Sequence, residues 1–167
     1  MTLVLGGARS GKSRYAEWLI GAYPPPWLYV ATAEAKDEEM AERIAAHKAR
    51  RGAAWQTVEA PHALIEALSR APAGAAILVD CLTLWLANLM EQGADIEAET
   101  AALKATLTKR PGPVVLVSNE VGLGIVPDNA LARRFRDLQG RLNQDLAAQA
   151  ARVVMMVAGL PVAVKSP

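Results

Sequence analysis

Short apolar runs alternate along this chain with stretches in which apolar residues recur every three or four positions. That alternation predicts an α/β protein. Thr2–Leu5 reads as a first strand ending in glycines. Lys12–Ala22 reads as the next helix, with Ala16, Leu19 and Ile20 at core-facing spacing, and Pro24-Pro25-Pro26 stops it. Trp27–Ala31 predicts a second strand, Lys36–Arg51 a second helix and Trp55–Glu59 a short strand. Pro61–Ala71 reads as helical, with Pro61 suited to the first turn. Ala76–Cys81 has the pattern of a buried strand, and Leu84–Gln92 that of an apolar helix. Asp95 is placed to cap a helix running to about Arg110, which Pro111-Gly112-Pro113 ends.

Val114–Ser118 predicts another buried strand. Asn119–Asn129, broken by Gly122, Gly124 and Pro127, reads as an irregular loop. A long helix is expected over roughly Ala130–Ala150. Arg152–Val157 and Val162–Lys165, joined through Gly159-Leu160-Pro161, form the expected final strand pair.

Composition narrows this picture. A length of 167 residues argues for one domain, and 52% hydrophobic against 21% charged residues argues for a globular fold throughout. The net charge of +1 provides no bulk attraction to nucleic acid or anionic membranes. Anion binding must then come from local clusters. Apolar runs such as Ala75–Val79 and Val153–Val157 are strand-sized, and nothing after Met1–Leu5 reads as a signal peptide, so a soluble protein is expected. The single Cys81 cannot form an internal disulfide, which suits the cytoplasm.

The chemistry begins at Gly6-Gly7-Ala8-Arg9-Ser10-Gly11-Lys12-Ser13, which meets the P-loop spacing between an apolar strand and an amphipathic helix. Glycines let the backbone bend so that successive N–H groups face phosphate oxygens, and the helix start adds its positive dipole end. Lys12 would neutralise the outer phosphates, and the Ser13 hydroxyl would ligate Mg²⁺. Asp80, at the end of Ala76–Asp80, fits the carboxylate that P-loop proteins place on a neighbouring strand for the metal. An aspartate there also fits a turn former or helix cap.

A second constellation lies in the predicted helix Lys36–Arg51. His47 has Arg43, Arg50 and Arg51 at helical spacing, which would favour a neutral imidazole able to attack phosphorus. The same charges also fit a solvated face, with Glu38, Glu39 and Glu42 as partners. His62, after Pro61, reads as structural.

These residues together resemble a known family. The P-loop, Tyr29-Val30-Ala31-Thr32, Arg43-Ile44 with His47-Lys48, and Asn119-Glu120-Val121-Gly122 with Gly124-Ile125-Val126-Pro127 fall in its order and spacing. So do Arg133, Phe135-Arg136-Asp137, Gly140-Arg141 and Asn143. The family is the bifunctional adenosylcobinamide kinase/adenosylcobinamide-phosphate guanylyltransferase of cobalamin assembly, and the resemblance covers nearly the whole chain. It implies a RecA-like P-loop fold with a mostly parallel sheet, Mg²⁺, ATP and GTP as substrates, and a homo-trimer. It also implies two reactions: phosphorylation of the aminopropanol hydroxyl of adenosylcobinamide, then GMP transfer from GTP through a histidine to form adenosylcobinamide-GDP.

By motif matching the resemblance makes His47 that histidine; Ala46 stands where some relatives carry a second one. It extends the nucleotide contacts from Gly6–Ser13 to Ala31, Thr32 and Ala33, to Lys48, Ala49, Arg50 and Arg51, and to Glu59 and Asp80. Two other classes compete. A single-function small-molecule kinase leaves His47 and Asn119–Pro127 without a role. A nucleotide-switched motor on nucleic acid is disfavoured by the near-zero net charge. The apolar helix with Leu84, Trp85, Leu86, Leu89 and Met90 fits either an oligomer interface or the core.

Overall fold

The computed structural model describes residues 1–166, with the side chains of Arg43 and Arg50 outside that description. Seven strands form one sheet: β1 (Thr2–Gly6), β2 (Trp27–Ala31), β3 (Trp55–Glu59), β4 (Ala76–Asp80), β5 (Val114–Val117), β6 (Arg152–Val157) and β7 (Leu160–Lys165). Their order is β3-β2-β4-β5-β1-β6-β7. All pair in parallel except β7, which runs antiparallel to β6. The expected mostly parallel α/β sheet with a C-terminal strand pair is therefore what the chain forms.

Six helices connect the strands: α1 (Lys12–Ile20), α2 (Glu38–Arg50), α3 (Leu64–Arg70), α4 (Leu82–Glu91), α5 (Ile96–Lys109) and α6 (Ala130–Gln149). Side chains alternate along the central strands, so each strand feeds two cores. Val4, Leu78, Val115 and Val117 face α1 through Ala16 and Ile20. Leu3, Ile77, Val79 and Leu116 face Leu68, Trp85, Leu103 and Leu142 on the opposite side. Trp85, Leu86 and Leu89 are buried there, so the apolar face of α4 is core. Asp95 accepts from the N–H groups of Glu97 and Ala98 at 3.1 Å, the cap expected from sequence, and Asn129 caps α6 in the same way at 2.7 Å.

Several boundaries depart from expectation for local reasons. α1 ends at Ile20, where Gly21 caps it. α3 starts only at Leu64, because Ala60 donates to Ala31 O and Pro61 O accepts from Asn88, which keeps 60–62 out of the helix. Pro61 and His62 thus precede the first turn. α4 starts at Leu82, immediately after its cap Cys81. The last hairpin turns at Ala158-Gly159, with φ of 51° and 83°, the positive pair that a two-residue turn requires. Leu160 and Pro161 therefore belong to β7, where Pro161 is tolerated on an edge strand.

Candidate active site

The P-loop leaves β1 at Gly6, whose φ is 150°; a Cβ there would meet Ser10 Oγ at 2.6 Å and Met156 O at 2.8 Å. Two neighbours hold the loop. Glu120 N donates to Gly6 O at 3.1 Å, and Gly159 N, in the hairpin turn, donates to Ser10 O at 3.2 Å. Lys12 is buried and its Nζ donates to Gly7 O at 2.5 Å, folding the ammonium back over the loop. Gly11, at φ 94°, caps α1.

Beside this loop, at the carboxyl ends of the parallel strands, lies a cavity of about 390 Å³. The P-loop contributes Ser13 to it, the strand ends contribute Ala31, Glu59 and Asp80, and the next loop contributes Ala33. α2 and its cap contribute His47, Lys48 and Arg51. Ser13, Ala31, Ala33, His47, Lys48, Arg51, Glu59 and Asp80 thus meet at one cavity from separate segments of the chain, whereas Gly6–Lys12 do not line it. On α2, Met40, Ile44, His47 and Lys48 recur at helical spacing along the cavity side.

Lys48 Nζ and Glu59 Oε1 pair at 2.6 Å, and the ammonium holds the Glu59 carboxyl below the usual carboxylate range. Arg51 lies past the end of α2 in extended backbone, not on the helical surface beside His47 as the sequence pattern predicts. Its guanidinium sits 3.5 Å from the centre of the Tyr29 ring, and its buried Nη1 has no hydrogen-bond partner among the described residues. The Tyr29 hydroxyl donates to Asp80 Oδ2 at 3.0 Å. Burial, then the Asp80 charge, pushes the Tyr29 phenol well above its ordinary range, so it remains a donor.

Besides Gly6–Lys12, two expected residues stand apart from the cavity. Thr32 is wholly buried: its Oγ1 donates to Cys81 O at 2.7 Å and accepts from Cys81 N at 2.8 Å. It fastens the turn after Asp80 and turns no hydroxyl toward the cavity. Ala49 is exposed on α2 and does not line the cavity. Arg43 and Arg50, which the sequence reading sets around His47, have side chains outside the described residues. His62 does not line the cavity; its Nε2 lies 3.2 Å from Oε1 of Glu34, which does. Sequence reasoning places Tyr29 only in the motif Tyr29-Val30-Ala31-Thr32 and assigns its side chain no role; the further signal is a phenol in an otherwise apolar strand.

Among the described residues no group of three or more His, Cys, Asp or Glu is arranged to hold a metal. Ser13 and Asp80 open on one cavity, and two oxygen donors of this kind fit an ion such as Mg²⁺ that takes its other ligands from water and phosphates. No helix of the described residues is long and apolar enough to cross a membrane.

Sheet, P-loop and cavity define a P-loop nucleotide-binding α/β protein of RecA-like architecture. The fold is shared with a prototypical ATPase of the type III secretion system of pathogenic bacteria, at a TM-score of 0.55 and 9% identity over 97% of this chain and 56% of that one. Residues 2–164 match the family described as cobinamide kinase / cobinamide phosphate guanyltransferase, and the chain belongs to that family. It is 51% identical to the bifunctional adenosylcobalamin biosynthesis protein CobP of Pseudomonas aeruginosa, over 98% of this chain and 96% of that protein. It is 46% identical to the bifunctional adenosylcobalamin biosynthesis protein CobU of Salmonella typhimurium, over 99% of each.

Proposed function

We propose that the protein, acting as a single domain, phosphorylates the aminopropanol hydroxyl of adenosylcobinamide from ATP or GTP and then attaches GMP to the product through His47. The observation that carries this reading is the opening of His47 onto the same cavity as Ser13 and Asp80. A nucleotide seated by the P-loop therefore extends its phosphates toward an imidazole.

In the first reaction the hydroxyl oxygen bonds to the γ-phosphorus and the bond to the bridging oxygen breaks. Lys12 and the loop N–H groups hold the charge on the transferring group. Mg²⁺, held by Ser13 and Asp80, would neutralise phosphate charge. In the second, an imidazole nitrogen of His47 bonds to the α-phosphorus of GTP and pyrophosphate leaves, helped by Lys48 and Arg51. A phosphate oxygen of adenosylcobinamide phosphate then takes the GMP and frees His47. The covalent step divides one difficult substitution into two. The remaining nucleotide contacts assigned by resemblance, Gly6–Ser13, Ala31, Thr32, Ala33, Ala49, Arg50 and Glu59, form part of this reading. A cytoplasmic location and a homo-trimer also belong to it. The exposed Val157, Leu160, Val162 and Val164 of the last hairpin offer the trimer an apolar face that α4 does not.

Incubation with α-labelled GTP followed by denaturing electrophoresis tests the mechanism. Wild type is expected to retain label that mild acid removes and alkali leaves, because protonated imidazole is a good leaving group from phosphorus. His47→Ala is expected to retain none while still phosphorylating adenosylcobinamide. Lys12→Ala is expected to lose about two orders of magnitude in that phosphorylation. Acid-stable label, or label on His47→Ala, would rule out the histidyl intermediate.

A further inference from the structure

Asp80 and Arg51 carry opposite charges and line the same cavity, yet they form no ion pair. A guanidinium and a carboxylate that come within reach of one another close into a bidentate pair. What stands between them is Tyr29. Its hydroxyl donates to Asp80 Oδ2 at 3.0 Å, and its ring carries the Arg51 guanidinium at 3.5 Å. The ring is itself set from the side by Trp55, edge-on at 6.2 Å, and Trp55 packs on Trp27 at 5.2 Å.

We infer that Tyr29 is a positioning residue of this site: its hydroxyl fixes the Asp80 carboxylate, and its ring face fixes the Arg51 guanidinium, so that neither neutralises the other. This rests on the reading of the cavity as the nucleotide site. A neutral phenol satisfies one carboxylate oxygen without cancelling its charge, which leaves Asp80 able to hold a cation or its water. A π face likewise holds a guanidinium by its charge and leaves N–H groups free for other acceptors. The buried Nη1 of Arg51, without a partner among the described residues, is the donor this arrangement keeps in reserve for a phosphate oxygen. Tyr29 thus sets a cationic and an anionic group side by side, the pairing that a metal–polyphosphate ligand requires.

The two contacts separate by substitution. Tyr29→Phe keeps the ring and removes the hydroxyl. Binding of Mn²⁺ in the presence of GTP, read by electron paramagnetic resonance, is expected to weaken about fivefold, the scale of one hydrogen bond. Tyr29→Leu also removes the ring, and the KM for GTP in the labelling reaction is expected to rise at least tenfold above that of Tyr29→Phe. Combined with Arg51→Lys in a double-mutant cycle, the Leu substitution should act non-additively, because the stacked pair is already broken. Unchanged Mn²⁺ binding in Tyr29→Phe overturns the hydroxyl's role. Equal KM values for Phe and Leu, or additivity with Arg51→Lys, overturn that of the ring. A failure of wild type to label sinks the histidyl mechanism instead, and leaves the Mn²⁺ measurement to decide on Tyr29.

Discussion

Cys81 sits between the site and the core, and its chemistry follows from that place. It is buried, and burial, then the neighbouring Asp80 charge, pushes the thiol up to about 11. A thiol that stays protonated is a poor nucleophile. Folded protein at pH 8 is therefore expected to resist iodoacetamide, while protein unfolded in guanidinium reacts at one site, as read by intact mass. The same shift fixes a pH dependence. The unfolded chain ionises Cys81 near an ordinary thiol pKa of about 8.5 and the folded chain does not, so Cys81's contribution to stability falls as pH climbs from there toward 11. At this scale the sequence was legible where chemistry is local: the P-loop glycines, Lys12 and Ser13 sit within eight consecutive positions. Tyr29 was not legible, because its partner Asp80 lies on another strand. Arg51 was misread for a different reason, a helix carried one residue too far, which set a stacked guanidinium on the wrong surface.

Among the elements, β5 and α6 are joined by polar side chains in an otherwise apolar layer. Ser118 Oγ donates to Asn143 Oδ1 at 2.7 Å, Gln139 Nε2 donates to Ser118 Oγ at 2.9 Å, and Asn143 Nδ2 donates to Asn119 O at 3.0 Å. Ser118 and Gln139 are wholly buried. This network fixes the residues just before Glu120, whose N–H holds the P-loop at Gly6. Asn143→Ala leaves the Ser118 hydroxyl proton without its acceptor and the Asn119 carbonyl without its side-chain donor, and is expected to cost about 1–3 kcal/mol in urea unfolding. Asn143→Asp keeps the acceptor and should cost less at low pH than at pH 7, where it buries a charge. Caps and breakers make these elements readable: Asp95 begins a helix and the prolines after Arg110 end it where local chemistry dictates. The late start of α3 was hidden, because the bonds that hold 60–62 reach to Ala31 and Asn88.

At the scale of the molecule, periodicity supplied the strands but not their order. Nothing local says that β1 lies between β5 and β6; that arrangement emerges only when each strand's two apolar faces must be covered at once. Val4 pairs with Val117 on one side and Val154 on the other. The order has a consequence for the chain as it is made. Of the seven strands β1 is made first, and the two that flank it are made fifth and sixth. Until they follow, its two edges stay open, and the loop after it lacks the N–H donors of Glu120 and Gly159. A chain stopped at Ala151 is expected to bind no fluorescent GTP analogue in an anisotropy titration that gives full-length protein a saturable curve. Nascent and prematurely terminated chains would then leave the cell's nucleotides alone, and the capacity to hold a triphosphate would arrive only with the final hairpin.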